Sequence, residues 1–218
     1  MTANQFMEAE DTETFQIGYH HGDINKITFQ ARDNKYWRVD GKGVKVDAAK
    51  VSPDSVFQME WYDNKVSVKN NDKYLKITSG GTVQPIGDAP TDPASLFVLE
   101  LVNRHILVLR GEHGYIGMAG NSTNKIFCNR GTHDAMAVTY VDGYYQLKAS
   151  NGKLWSVNDD RTLVTGTEDD GSLFIFELCG QSKMLIRLKD GKYLTGDHNG
   201  TVRANGERDG RNTAVWEY

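Results

Sequence analysis

Short apolar runs alternate with polar turns along the whole chain, a pattern that predicts β-strands joined by tight turns. Five of the turns share one motif: a polar residue or Gly, then Lys or Gly, then two bulky apolar residues. The first bulky residue of this turn motif is Tyr36, Tyr74, Tyr115, Leu154 or Tyr193. These positions are 38, 41, 39 and 39 residues apart. A period near 40 residues predicts a repeat architecture.

Two further strand-like elements recur with the turn motif. One precedes it, and the other, here called the closing strand, ends each repeat. The closing strand occurs six times, at 14–17, 56–60, 96–100, 136–139, 173–177 and 215–218. No segment carries the i, i+3, i+4, i+7 apolar spacing of an amphipathic helix over three turns. The chain is therefore predicted to be all-β, with about four short strands in each repeat.

The number of repeats indicates the architecture. The closing strand occurs six times and the turn motif five times, and the missing copy of the motif is the first. Two groups of three repeats predict tandem β-trefoils: an incomplete trefoil at 1–102 that lacks most of its first repeat, and a complete one at 103–218. Residues 1–12 are polar and are expected to form a loop or arm. A six-bladed propeller is the alternative, but its Trp-Asp and Gly-His signatures are absent.

Composition limits the classes of function without choosing among them. The 218 residues carry a net charge of −4, which does not favour nucleic acid or an anionic membrane as partner. The two cysteines, Cys128 and Cys179, have no metal-ligand spacing around them and are expected to be reduced, buried thiols. No signal peptide or 18-residue apolar run is present. We therefore expect a cytoplasmic protein without membrane insertion.

Several stretches resemble the fascin family. Residues 110–117, reading Arg-Gly-Glu-His-Gly-Tyr-Ile-Gly, are similar to the opening of the last fascin trefoil, as is the run from Lys192 to the terminal Trp-Glu-Tyr. Residues 3–5, 13–16 and 35–37 are similar to the third trefoil. The resemblance implies the C-terminal half of a four-trefoil protein that cross-links parallel actin filaments in cell projections. It implies F-actin as partner, together with the missing N-terminal trefoils of a longer chain, and no catalysis or cofactor.

The resemblance also implies site residues. It places His198 in the principal actin-binding cleft, between the first and last trefoils, and Glu112 and His113 near the same cleft. Ala119 and Thr195 stand where the family has basic residues, which weakens the expected site. The alternative for His198 is an exposed turn residue without a binding role. The alternative for Glu112 and His113 is local hydrogen bonding in the turn or packing between trefoils.

A second filament contact is expected on a lysine-rich repeat. Its members are Lys65, Lys69, Lys73 and Lys76. Residues 65 and 69 of an extended strand point to one face, and a basic patch suits the acidic surface of actin. The alternative is a solvated strand edge whose lysines oppose aggregation.

Other classes of function have less support in the sequence. A carbohydrate-binding trefoil would carry Gln-x-Trp in its repeats, and this chain has none. The histidines are dispersed and form no catalytic or metal motif. They are His20, His21, His105, His113, His133 and His198. The tryptophans Trp37, Trp61, Trp155 and Trp216 are expected in the core rather than in a ligand site.

Overall fold

A computed structural model describes residues 14–102, 104–120, 123–208 and 212–218. The chain divides into two compact units, Met1–Leu99 (the N-terminal unit) and Glu100–Tyr218 (the C-terminal unit). Within the described residues the secondary structure consists of β-strands and three-residue 3₁₀ turns, with no α-helix. The predicted all-β class is thus confirmed. The arm expected at 1–12 lies outside the described residues.

The C-terminal unit contains two kinds of strand. The barrel strands are β10 (Ile106–Leu107), β11 (Arg110–Gly111), β14 (Met136–Val141), β15 (Tyr144–Lys148), β18 (Phe174–Gly180), β19 (Lys183–Leu188) and β22 (Val215–Glu217). The hairpin strands are β12 (Gly114–Met118), β13 (Ile126–Arg130), β16 (Trp155–Val157), β17 (Leu163–Thr165), β20 (Tyr193–Gly196) and β21 (Val202–Gly206).

The barrel strands close into a ring. Neighbouring strands pair in the order β10-β14-β15-β18-β19-β22-β11. Strands β10 and β11 are two pieces of one interrupted chain segment, so the last pairing returns to the first strand. The ring therefore has six strands and no open edge, which removes the exposed backbone donors and acceptors of an edge strand.

The three hairpins meet one another. Lys125 bridges to Val164, Phe127 to Thr201, and Thr162 to Arg203. These bridges join each hairpin to the other two. A six-stranded barrel with three mutually contacting hairpins is a β-trefoil, and this topology excludes the propeller alternative.

The barrel interior is filled by apolar side chains from every repeat. Leu109, Leu147, Phe174 and Trp216 have no exposed surface, and Trp155 is 1% exposed. Two of the four tryptophans therefore lie in this core, as predicted. The other two, Trp37 and Trp61, are half-buried against the core of the N-terminal unit.

The N-terminal unit contains the same two kinds of strand. Its barrel-type strands are β1 (Phe15–Tyr19), β2 (Ile27–Ala31), β5 (Gln58–Tyr62), β6 (Lys65–Asn70) and β9 (Leu96–Phe97). Its hairpins are formed by β3 (Tyr36–Asp40) with β4 (Gly43–Ala48) and by β7 (Lys73–Ile77) with β8 (Val83–Gly87).

These strands make up part of a second trefoil. Strand β1 pairs with β2, an Ile27–Phe57 bridge joins β2 to the start of the β5–β6 pair, and β9 pairs with β6. Within the described residues, this unit has five of the six barrel strands and two of the three hairpins. The strand and hairpin that are missing from this part of the chain belong to the first repeat, as predicted. The closing strand expected at 96–100 is shorter, with two paired residues.

Candidate functional site

The structure brings two of the predicted site residues into contact. His113 lies in the turn between β11 and β12, and His198 lies in the turn between β20 and β21. Their imidazole rings meet edge to face, with centroids 5.8 Å apart and an interplanar angle of 71°. The turn that leads into the first hairpin and the turn of the third hairpin thus form one surface, here called the histidine surface.

A closed turn presents His198 to solvent. The Gly200 backbone N–H donates to the Asp197 carbonyl at 2.8 Å, and the Asp197 N–H donates to the Thr201 carbonyl at 2.8 Å. The φ of Gly200 is +90°, a value that L-residues rarely adopt. His198 is exposed, which leaves the imidazole accessible.

Strand β13 packs against this turn and forms a backbone hydrogen bond with it. The Cys128 N–H donates to the Gly200 carbonyl at 2.8 Å. The Cys128 side chain is 1% exposed and packs beneath Gly196, where an added Cβ would lie 2.7 Å from Sγ. Burial raises the pKa of this thiol to about 11, so it stays protonated at neutral pH. Cys128 is therefore a packing residue. Both cysteines are free thiols as expected, but Cys179 is half-buried and not buried as predicted.

Arg203 lies opposite Thr195 in the sheet register and already has a carboxylate partner. Its Nε donates to the Asp197 carboxylate at 3.1 Å, so its charge is opposed within the same hairpin. The Thr195 hydroxyl lies 3.3 Å from Oδ1 of Asn205. Ala119 and Lys125 are both exposed, and the Ala119 N–H donates to the Lys125 carbonyl.

A row of polar side chains runs beside the turn that carries His113. Lys183 lies opposite Glu217 in the sheet register, Glu217 opposite Arg110, Arg110 opposite Tyr115, and Tyr115 opposite Arg130. The Arg110 guanidinium lies 5.8 Å from the centre of the Tyr115 ring. No sequence motif indicates this row, because strand register between distant segments has no local signal.

Glu112 is exposed and lines one end of this row. It borders an open cavity of about 310 Å³ together with Arg110, Lys183 and Glu217. The cavity wall carries both signs of charge. Its surface is therefore not the basic one that an acidic partner alone would select.

The four lysines of the predicted patch in the N-terminal unit have different surroundings. Lys73 forms an ion pair with Asp88 at 2.5 Å, and Lys76 forms one with Asp92 at 2.6 Å. Lys69 Nζ lies 5.6 Å from the centre of the Tyr74 ring. Lys65 is exposed and has no ion pair within the described residues.

The lysine contacts lower the pKa values of two nearby carboxylates. The hydrogen bond from Lys73 lowers the pKa of Asp88, and the one from Lys76 lowers the pKa of Asp92. Both ion pairs thus place a carboxylate beside a lysine of the predicted patch. Lys65 and Lys69, which lie on β6, keep most of the basic character of that patch.

A hydrogen-bonding unit repeats in the two trefoils and explains Lys73. In the N-terminal unit the Tyr74 hydroxyl donates to Glu60, and in the C-terminal unit the Tyr193 hydroxyl donates to Glu177. The lysine before each tyrosine forms the same kind of ion pair, Lys73 with Asp88 and Lys192 with Glu207. The turn motif and the glutamate at the end of the closing strand are the sequence signal of this unit. Lys73 therefore has a carboxylate partner in the same hairpin.

The remaining histidines form no recognisable centre. The His20 and His21 rings lie 4.0 Å apart in a turn of the N-terminal unit. Across the residues that the structure describes, no group of three His, Cys, Asp or Glu side chains is placed to hold a metal ion. No helix in this part of the chain has the length and apolarity needed to cross a membrane.

The fold defines the class of the protein: it is a tandem β-trefoil protein. Comparison with known proteins identifies the family. The sequence model of the Fascin domain matches residues 2–99 and 112–218. The chain belongs to the fascin family, as the resemblance of its motifs predicted.

The chain is similar to curated fascins over its whole length. It is 32% identical to fascin-2 of Bos taurus, with 100% of the chain covering 44% of that protein. It is 32% identical to fascin of Strongylocentrotus purpuratus, with 97% of the chain covering 42% of that protein. The chain therefore spans less than half the length of these curated relatives.

Likeness to a solved structure is weaker. An endo-β-galactosidase of Clostridium perfringens superposes with a TM-score of 0.48 and 12% identity, covering 94% of this chain and 62% of that chain. This likeness carries no argument about a ligand.

Proposed function

We propose that the chain is a non-catalytic actin-filament-binding module that acts in the cross-linking of filaments. The observation that carries the proposal is the contact between His113 and His198, 5.8 Å apart between ring centres. The family resemblance implies that both residues are near the actin-binding cleft, and neither turn needs a histidine for its backbone geometry. A pair of neighbouring aromatic, ionisable side chains, with His198 exposed and His113 half-buried, suits recognition of a protein surface.

Cross-linking needs a second filament contact. We propose that Lys65 and Lys69 provide it, and that Lys73 and Lys76 contribute less because each already has a carboxylate partner. Exposed lysines mainly accelerate association and make it dependent on salt. On this proposal the cytoplasm and the actin cytoskeleton of cell projections are the place of action.

Co-sedimentation with F-actin tests the histidine surface. The wild-type chain is expected to pellet with filaments at high speed, and His113→Ala and His198→Ala are each expected to weaken binding about tenfold. His105→Ala is the matched control, because His105 is an exposed histidine of the same unit outside the histidine surface. Equal binding by all three variants and wild type would reject the surface.

Two paired variants test the lysines, and low-speed sedimentation tests bundling. The double variant Lys65→Glu/Lys69→Glu is expected to bind F-actin more weakly, and with less dependence on salt, than the double variant Lys73→Glu/Lys76→Glu. The reverse order would reject Lys65 and Lys69 as the second contact.

In the family the main cleft also needs the first trefoil, so the chain on its own is expected to bind filaments with little bundling. Abundant bundles at low speed would contradict that expectation.

A further inference from the structure

Asn129 lies directly beneath the two turns of the histidine surface. It occupies β13, where Cys128 is buried and Asn129 is exposed. Successive side chains of a strand point to opposite faces. The Asn129 side chain is therefore on the outer face of the strand, away from the core that Cys128 enters.

The side-chain amide of Asn129 is packed against the turn that carries His198. A Cβ added to Gly200 would lie 2.4 Å from Oδ1 and 2.6 Å from Nδ2 of Asn129. Such distances are too short for any side chain at position 200. The glycine thus allows the amide to lie against the turn two residues after His198.

The backbone of Asn129 is packed against the turn that carries His113. A Cβ added to Gly114 would lie 3.1 Å from the Asn129 carbonyl carbon and 2.7 Å from the Arg130 carbonyl oxygen. Asn129 is thus in close contact with both glycines that follow the two histidines. Its position links the two turns and fixes their separation.

The Asn129 amide has hydrogen-bonding capacity left for a partner. Among the described residues it makes no side-chain hydrogen bond. A side-chain amide offers two N–H donors, and a neutral imidazole offers one. Three side chains on one small surface therefore present several donors, and donors of this kind suit an oxyanion.

Two aspartates near the surface are each paired with an arginine, whereas exposed Glu112 adds a negative charge in the turn of His113. The Asp197 carboxylate, next to His198, is paired with Arg203 at 3.1 Å. The Asp134 carboxylate, near the end of β13, has Arg130 at 3.7 Å. These arginines offset the repulsion that the two aspartates would exert on an incoming anion.

We propose that Asn129 is a third contact residue of the histidine surface, and that His113, Asn129 and His198 together bind a carboxylate side chain of the partner. The inference rests on the proposed function for the identity of the partner, the acidic surface of an actin filament. It adds the chemical group that is recognised and a residue that no sequence motif indicated.

An isosteric change tests the residue. Asn129→Asp keeps the shape of the side chain, replaces its donors by a carboxylate and is expected to weaken F-actin binding about tenfold. Asn205→Asp is the matched control. Asn205 is exposed like Asn129 but lies on β21 of the third hairpin, so the variant adds the same charge at a different place. Circular dichroism and thermal melting establish that both variants are folded. Equal F-actin binding by Asn129→Asp and Asn205→Asp would overturn the assignment of Asn129.

A peptide probe separates this inference from the actin proposal. Tetraglutamate is titrated into the ¹⁵N-labelled chain at constant ionic strength, with tetraglutamine as control, and the side-chain signals of Asn129 and both histidines are followed by NMR. Saturable shifts with tetraglutamate alone are expected, and their loss in Asn129→Asp supports the site. No difference between the peptides would overturn the carboxylate site, even if F-actin binding is observed. Shifts without F-actin binding would reject the actin proposal and leave the carboxylate site standing.

Discussion

Glu177 offers a test of how a buried charge stabilises the C-terminal trefoil. Its side chain is 2% exposed, and one carboxylate oxygen accepts a hydrogen bond of 2.6 Å from Arg187. The Tyr193 hydroxyl donates to the same carboxylate at 3.1 Å. Burial, and then the Glu177 charge, raise the pKa of Tyr193 to about 12, so this hydroxyl remains a donor at neutral pH. Glu177 thereby connects β18 and β19 to β20, the strand that leads to the His198 turn.

The expected loss of stability in Glu177→Gln follows from the burial of the Glu177–Arg187 ion pair. Glu177→Gln keeps the shape and one acceptor oxygen but removes the carboxylate charge that faces a guanidinium 10% exposed. Breaking a buried ion pair by changing one partner costs about 3 kcal/mol. The repeat supplies a matched control, because Glu60 has the equivalent position but accepts from the hydroxyls of Tyr62 and Tyr74. Glu60→Gln should lower the free energy of unfolding by about 1 kcal/mol, which is the typical net contribution of one hydrogen bond.

Urea unfolding measures the difference. With Trp37→Phe and Trp61→Phe in the background, fluorescence reports on Trp155 and Trp216, both buried in the C-terminal unit. A loss of about 3 kcal/mol moves the midpoint by about 1.5 M urea if the slope is about 2 kcal/mol/M. The Glu60→Gln variant is followed through Trp37 and Trp61 in the complementary background. Similar losses of free energy in the two variants would refute the argument that the buried charge decides the cost.

Three further predictions concern the turns and the two units. Gly200→Ala should weaken F-actin binding and destabilise the C-terminal unit by about 2 kcal/mol, because the new Cβ meets the Asn129 amide and φ is +90°; an unchanged urea midpoint would contradict this. A disulfide reagent at pH 8 should modify half-buried Cys179 before buried Cys128, whose pKa is raised to about 11 by burial; modification of both at one rate, read by peptide mass spectrometry, would show that the His198 turn opens readily. Amide hydrogen exchange should be faster in the N-terminal unit, because its described strands leave β1 and β9 as edges; equal protection in the two units would refute an open first barrel.

The sequence by itself determined the repeat and the class of fold. Strand and turn propensities act over a few residues, so the period near 40 residues, the tight turns and the absence of helices could be read directly. The difference between six closing strands and five turn motifs also predicted an incomplete first trefoil, and the described residues of that unit hold five barrel strands and two hairpins. Burial of Trp155 and Trp216 followed from the same logic, since large apolar side chains at repeat positions fill a barrel.

Only the tertiary structure decided which residues share a surface. His113 and His198 meet because the three hairpins contact one another after the barrel closes, and their contact depends on bridges such as Phe127–Thr201. The ion pairs of Lys73 and Lys76 and the position of Asn129 under two glycines depend on register between separate strands. Local propensity does not encode that register. It is set by the packing of the whole trefoil, and the histidine surface is a consequence of that packing.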